Sequence, residues 1–253
     1  MINSHHLNFG VPATTRKGLR LFALLLSGTM CFAWGTNLAN AQDGDQPVRI
    51  ITLGDSITKG VRPGVKAEET FPFLLQTGLK KEGIVAEVTN VGIGGENTAQ
   101  ALKRLKAQVI DKKPHIVTIM YAANDSYVDK GKTVPRLTEA EYRANLKQIV
   151  EELRKAQIKP ILMATNRLGD KHPSNGAGEH PGKWLDQYVA ICREVAKDLK
   201  VPLVDHHEHW SMALKDGTDI DKWMTDSCHP NPKGQEEMAK LMLPVVMKAI
   251  RGK

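Results

Sequence analysis

Two segments at opposite ends of this 253-residue sequence hold the residue types that nucleophilic chemistry requires. Gly54-Asp55-Ser56 sets a hydroxyl directly after the β-branched run Val48-Arg49-Ile50-Ile51-Thr52-Leu53. A serine hydroxyl is a weak nucleophile until a neighbouring base removes its proton. A strand that stops at glycine and turns into a helix exposes the side chain on the turn and aims free backbone N–H groups at the same spot. The second segment, Asp226-Ser227-Cys228-His229-Pro230-Asn231, offers a matching base. An imidazole beside a carboxylate can act as general base and then as general acid. Asp and His three residues apart fit on one short turn, where the carboxylate fixes the tautomer. Each segment also fits a plainer role. Asp55 or Ser56 can be a turn residue, and Asp226 or Asn231 can cap a helix beside a surface histidine.

A tetrahedral intermediate would need donors for its oxyanion. Gly94-Gly95 can bring a backbone N–H close, and Asn124 carries a donor amide. Simple turns are the alternative reading for Gly92, Gly94, Gly95 and Asn124.

The elements that must position these residues follow from periodicity. Strands are expected over 48–53, 84–91, 115–121, 158–165 and 201–205. Helices are expected over 70–81, 98–112, 137–157, 183–199 and 232–251, the last containing Pro244. Thr138 and Glu141 form a capping-box pattern, and 166–182, rich in Gly, Pro, His and Asn, reads as a long loop. Strands alternating with helices predict an α/β fold, a five-stranded parallel sheet covered on both faces. Ligands of such sheets bind at the carboxyl ends of the strands. Ser56, the Gly92–Thr98 loop and Asn124-Asp125 follow the first three strands, so one crevice should hold all of them.

Residues 1–41 stand apart. Arg16, Lys17 and Arg20 precede an apolar run from Leu21 to Trp34, and Ala39-Asn40-Ala41 places small residues alternately. That order predicts a secretory signal peptide cleaved near Ala41, an exported chain of residues 42–253 as one domain, and no stable membrane anchor after cleavage. Cys31, inside the apolar run, lacks the spacing of a lipid-attachment cysteine. Three of the 35 Lys and Arg and none of the 28 Asp and Glu lie in 1–41, leaving the remainder at net +4. No basic stripe interleaves with aromatics, so no nucleic acid partner is expected. Export permits a bridge between Cys192 and Cys228 without requiring it. Asp205-His206-His207-Glu208-His209 invites a metal reading, but the three histidines do not share a helix face, and no metal site is expected. Trp184, Trp210 and Trp223 could stack on a sugar or simply pack. Lys59, Arg62 and Lys66 could line the mouth of the site or face solvent.

Taken together, the segments resemble the SGNH (GDSL-type) hydrolase family. Its first block is matched by Gly54-Asp55-Ser56-Ile57-Thr58. The second resembles Asn90-Val91-Gly92-Ile93-Gly94-Gly95, the third Ala122-Ala123-Asn124-Asp125, and the last runs from Asp226 to His229, followed by Pro230-Asn231 and Lys233-Gly234. The resemblance spans essentially all of 42–253. It implies a flavodoxin-like three-layer α/β/α sandwich and ester hydrolysis without metal or cofactor. The implied roles are Ser56, Asp226 and His229 as catalytic residues, an oxyanion hole of Ser56, Gly95 and Asn124, and Asp55 in support. Ala122 departs from the family's usual glycine, Glu96-Asn97 looks like an insertion, and Cys228 is an unusual neighbour for His229. The substrate expected is a small acyl ester, such as O-acetyl on carbohydrate. A lysophospholipase or thioesterase of the same family, and a non-catalytic carbohydrate-binding module on this fold, are the alternatives.

Overall fold

A computed structural model describes residues 46–252. The signal-peptide reading and the boundary at residue 41 lie outside these residues. Five strands, β1 (Val48–Gly54), β2 (Ala86–Asn90), β3 (Ile116–Tyr121), β4 (Lys159–Ala164) and β5 (Leu203–Asp205), form one parallel sheet in the order β2-β1-β3-β4-β5. The helices are α1 (Ser56–Lys59), α2 (Phe71–Lys81), α3 (Thr98–Gln108), α4 (Glu139–Lys155), α5 (Gly182–Asp198), α6 (His206–Lys215) and α7 (Pro232–Arg251).

Successive strand side chains point to opposite faces, and the core divides accordingly. Ile51, Leu53, Val117, Ile119, Leu162 and Ala164 pack under α3, α4 and α5. Ile50, Ile116, Met120, Ile161, Met163 and Val204 pack under α2, α6 and α7. All six residues of β3 are buried, which explains its unbroken apolar run. The expected flavodoxin-like three-layer sandwich is the architecture observed.

Apart from the 98–112 helix, element ends lie within two residues of the expected limits. The 98–112 helix breaks at Val109 and continues as a 3₁₀ turn over Ile110–Lys112. Thr138 caps α4 through the anticipated capping box, accepting from Glu141 N–H. Two helices were not delimited by periodicity. α1 is too short to show any, and α6 begins at His206 without an intervening loop, its N-terminus capped by Asp205.

The order of strands creates the crevice. From β1 the chain moves to one side of the sheet, toward β2; from β3 it moves to the other, toward β4. The loops leaving β1 and β3 therefore diverge, and an open sheet of this kind binds ligands at that switch point.

Candidate active site

Ser56 opens α1 directly after β1. Gly54 allows the turn, because a Cβ there would lie 2.1 Å from Thr58 Oγ1 and 2.6 Å from the Met120 carbonyl oxygen. Asp55 caps the helix, with Oδ1 accepting from Ile57 N–H at 2.9 Å. The cap leaves the Ser56 N–H without a backbone acceptor among the described residues. Asp55 is 1 % exposed, and burial, with Asp125 and Glu96 nearby, pushes its carboxyl up to about 7 against the stabilising Ile57 and Asn124 donors.

The segment before α7 closes on the serine. Thr225 N–H donates to the His229 carbonyl at 2.8 Å, and Met224 and Pro230 form an antiparallel bridge. Ser227 sits at the tip with φ +59°. This tight turn directs the His229 ring at Ser56: Nε2 lies 2.8 Å from Ser56 Oγ. Nδ1 is 3.0 Å from both Asp226 oxygens, and Asp226 Oδ1 also accepts from His229 N–H at 2.8 Å. Asn231 is the cap of α7, accepting from Gly234 N–H at 3.1 Å, so the capping role falls to it and Asp226 is left for the imidazole.

The loops after β2 and β3 converge on the same place. A Cβ on Gly94 would stand 3.9 Å from Ser56 Cβ, so the Gly94–Gly95 peptide lies beside Ser56. Gly95 has φ +76°, and its N–H has no backbone acceptor among the described residues. Gly92 serves packing instead, since a Cβ there would meet Lys59 N at 2.3 Å. Asn124 faces Asp55, with Nδ2 donating to Asp55 Oδ2 at 3.4 Å. Ala122 takes φ +126°, a backbone region that favours glycine, which accounts physically for the glycine usual at that position. Its neighbour Asp125 braces the site: Oδ1 accepts from Thr98 N–H at 2.9 Å and from Thr98 Oγ1 at 2.5 Å.

Ser56, Asn124 and His229 share a pocket of about 300 Å³ with Tyr127, Arg136, Leu168, His172, Pro181 and Leu185. Arg136 and Tyr127 carry no motif signal, and sequence reasoning passes over them. Arg62, open between two readings, donates to Asp226 Oδ2 at 2.7 Å. Cys228 lines the pocket and packs on the core; burial raises its thiol to about 12. Cys192 is buried in α5, and both thiols are free. The three tryptophans pack elsewhere: Trp210 is fully buried against Trp223 at 5.1 Å, and Trp184 donates to Glu179. The histidines of α6 diverge. His206 is buried, His207 faces Asp186 at 3.0 Å and His209 faces Glu237 at 3.3 Å. No cluster of three or more potential metal ligands forms among the described residues.

Chemically, the arrangement can pass a proton from a serine hydroxyl to a leaving group and shelter an anion beside it. The model of the GDSL-like lipase/acylhydrolase family matches residues 52–237. The uncharacterized lipoprotein YqeF of Bacillus subtilis is 32% identical over 76% of this chain and 83% of its own. Thioesterase 1/protease 1/lysophospholipase L1 of Escherichia coli is 29% identical over 78% of this chain and 84% of its own. Among solved structures, the acetyl xylan esterase AlAXEase superposes with a TM-score of 0.67 at 25% identity, covering 79% of this chain and all of that one. With its motif blocks meeting at the switch point of the sheet and its sequence matched across the fold, this chain belongs to the GDSL-like lipase/acylhydrolase family and is a carboxylic ester hydrolase.

Proposed function

We propose that this protein is an exported serine esterase that removes small acyl groups, O-acetyl groups on carbohydrate in particular. The observation that carries the reading is the 2.8 Å separation of Ser56 Oγ and His229 Nε2, with Asp226 on the far ring nitrogen. Ser56 attacks the ester carbonyl while His229 takes its proton. The oxyanion is held by the N–H groups of Ser56 and Gly95 and by the Asn124 amide. Collapse of the intermediate expels the alcohol, which leaves with the proton from His229. Water, deprotonated by the same ring, then frees the acid and restores Ser56. Asp226 holds the ring and stabilises it when charged. No cofactor or metal takes part in any of these steps.

The pocket of about 300 Å³, walled by Leu168, Pro181 and Leu185, supports a short acyl group. Tyr127, Arg136 and His172 on its wall suit a polar alcohol, and a structural neighbour is named an acetyl xylan esterase. Export is supported by the basic-apolar-small order of residues 1–41 and by the lipoprotein name of a relative. No helix among the described residues is long and apolar enough to cross a membrane. The second reading, a lysophospholipase or thioesterase, draws on the name of the Escherichia coli relative.

Ser56→Ala should lower kcat on p-nitrophenyl acetate by about 10⁴-fold or more with unchanged circular dichroism, and a fluorophosphonate should label the peptide containing Ser56. Full activity in that variant would remove Ser56 as nucleophile. A series of p-nitrophenyl esters separates the two substrate readings: acetate should be preferred, and a preference for eight carbons or more would transfer the assignment to the second.

A further inference from the structure

Arg136 lies in no motif block, yet it touches the motif's asparagine from behind. Its Nη1 donates to Asn124 Oδ1 at 3.0 Å. Its Nε and Nη2 grip the Asp129 carboxylate at 3.0 and 2.7 Å, and its guanidinium lies over the Tyr127 ring, 5.0 Å from the centroid. Its backbone N–H donates to the Tyr127 carbonyl at 3.0 Å, so the loop closes on itself around the side chain. The guanidinium is thus held along one edge by Asp129 and over one face by Tyr127, with Nη1 left for Asn124.

The two ends of a carboxamide are nearly the same in shape, so its neighbours decide which way it faces. Arginine has donors only. A guanidinium behind Asn124 therefore draws Oδ1 toward itself and turns Nδ2 toward Asp55, the chain neighbour of Ser56, so that Nδ2 meets Asp55 Oδ2 at 3.4 Å. Only that orientation offers an N–H to a developing oxyanion. A donor on the carbonyl end also polarises the amide and strengthens its N–H groups as donors.

We infer that Arg136 is a positioning residue of the oxyanion hole: its hydrogen bond to Asn124 Oδ1 locks the amide with Nδ2 facing the reacting carbonyl. The inference rests on the proposed role of Asn124. Asp129 balances the charge of Arg136, so the residue acts through orientation rather than as a free cation for the substrate.

The test is a double-mutant cycle on a short ester, using folded protein checked by circular dichroism. Asn124→Ala should reduce kcat by about 10²–10³-fold. Arg136→Ala should reduce kcat by at least about tenfold with little change in KM, and Arg136→Lys, which keeps one donor, should recover part of it. In the Asn124→Ala background, Arg136→Ala should have almost no further effect. The same loss in both backgrounds, or an effect on KM alone, overturns the inference while leaving the role of Asn124 intact. Wild-type kcat in Asn124→Ala overturns the role of Asn124, and the inference with it. If Arg136→Ala does not fold, Arg136→Gln carries the cycle, with the same outcomes deciding.

Discussion

Arg62 shows how a residue outside the reaction can serve it. Its guanidinium meets Asp226 Oδ2 at 2.7 Å, with the two side chains 23% and 43% exposed. A pair so wet contributes ~1 kcal/mol or less to stability. In the proposed mechanism Asp226 orients His229 through Nδ1, and besides His229 itself Arg62 is the cation within ion-pair distance of Asp226 among the described residues. If Asp226 has its proposed role, Arg62→Ala should lower kcat by roughly tenfold, since small misplacements of a catalytic group are expensive. Its thermal midpoint should stay within about 2 °C of wild type. An unchanged kcat in steady-state assays would show that Asp226 needs no such support. Ser227, at φ +59° between Asp226 and His229, shows strained backbone concentrated where the chain must aim a side chain.

At the scale of elements, the loop that carries Gly95 is tied to the elements around it. Asn90 Nδ2 donates to the Thr58 carbonyl at 2.9 Å, and Asn90 Oδ1 accepts from Gly92 N–H, linking the loop after β2 to α1. Behind the Gly94–Gly95 peptide, Glu96 is gripped by both arms of Arg104 and accepts from Tyr121 Oη at 2.6 Å. The Glu96 and Arg104 side chains are only 5% and 10% exposed. What looked like an insertion in the sequence is thus the anchor of this loop. Breaking a buried pair strands a charge, so Arg104→Ala should cost about 3–5 kcal/mol of stability. Urea unfolding measures this, and a loss under about 1 kcal/mol would mean the pair is not buried as described. The anchor's place beside Gly95 predicts a fall in kcat as well, by loosening the proposed donor loop.

For the whole molecule, the same crevice sets a dependence of stability on pH. Burial pushes Asp55 up to about 7 and Asp125 up to about 6, from 3.8 when unfolded. Between about 4 and 7 the folded state binds more protons at these sites than the unfolded state does. Stability from these two groups is therefore greatest below about 4, falls as pH rises, and is lost above about 7. For Asp55 alone the difference is on the order of 4 kcal/mol. Asp55→Asn keeps an acceptor for Ile57 N–H but no longer titrates. Its thermal midpoint should decline less than that of wild type between pH 5 and pH 8. Parallel declines in a scanning fluorimetry series would show that Asp55 is already ionised at pH 5. The buried acids beside Ser56 thus trade stability at neutral pH for a site braced by hydrogen bonds.

The sequence by itself determined the fold class and singled out residues that meet in the crevice. Strands buried on both faces appear as short apolar runs, helices repeat their apolar face every three to four residues, and Gly54, Ser56, Asn124, Asp226 and His229 fall in motif blocks whose order is preserved. Only the tertiary structure decided how those residues are held. Ser56 and His229 are 173 positions apart and Arg62 and Asp226 are 164, separations at which periodicity carries no information. Arg136 lies only 12 positions from Asn124, yet it too was invisible, because loop side chains follow no repeat. The physical reason is common to all of them: local pattern records which face of an element is buried, whereas the partner of a loop side chain is set by where the sheet brings separate loops together.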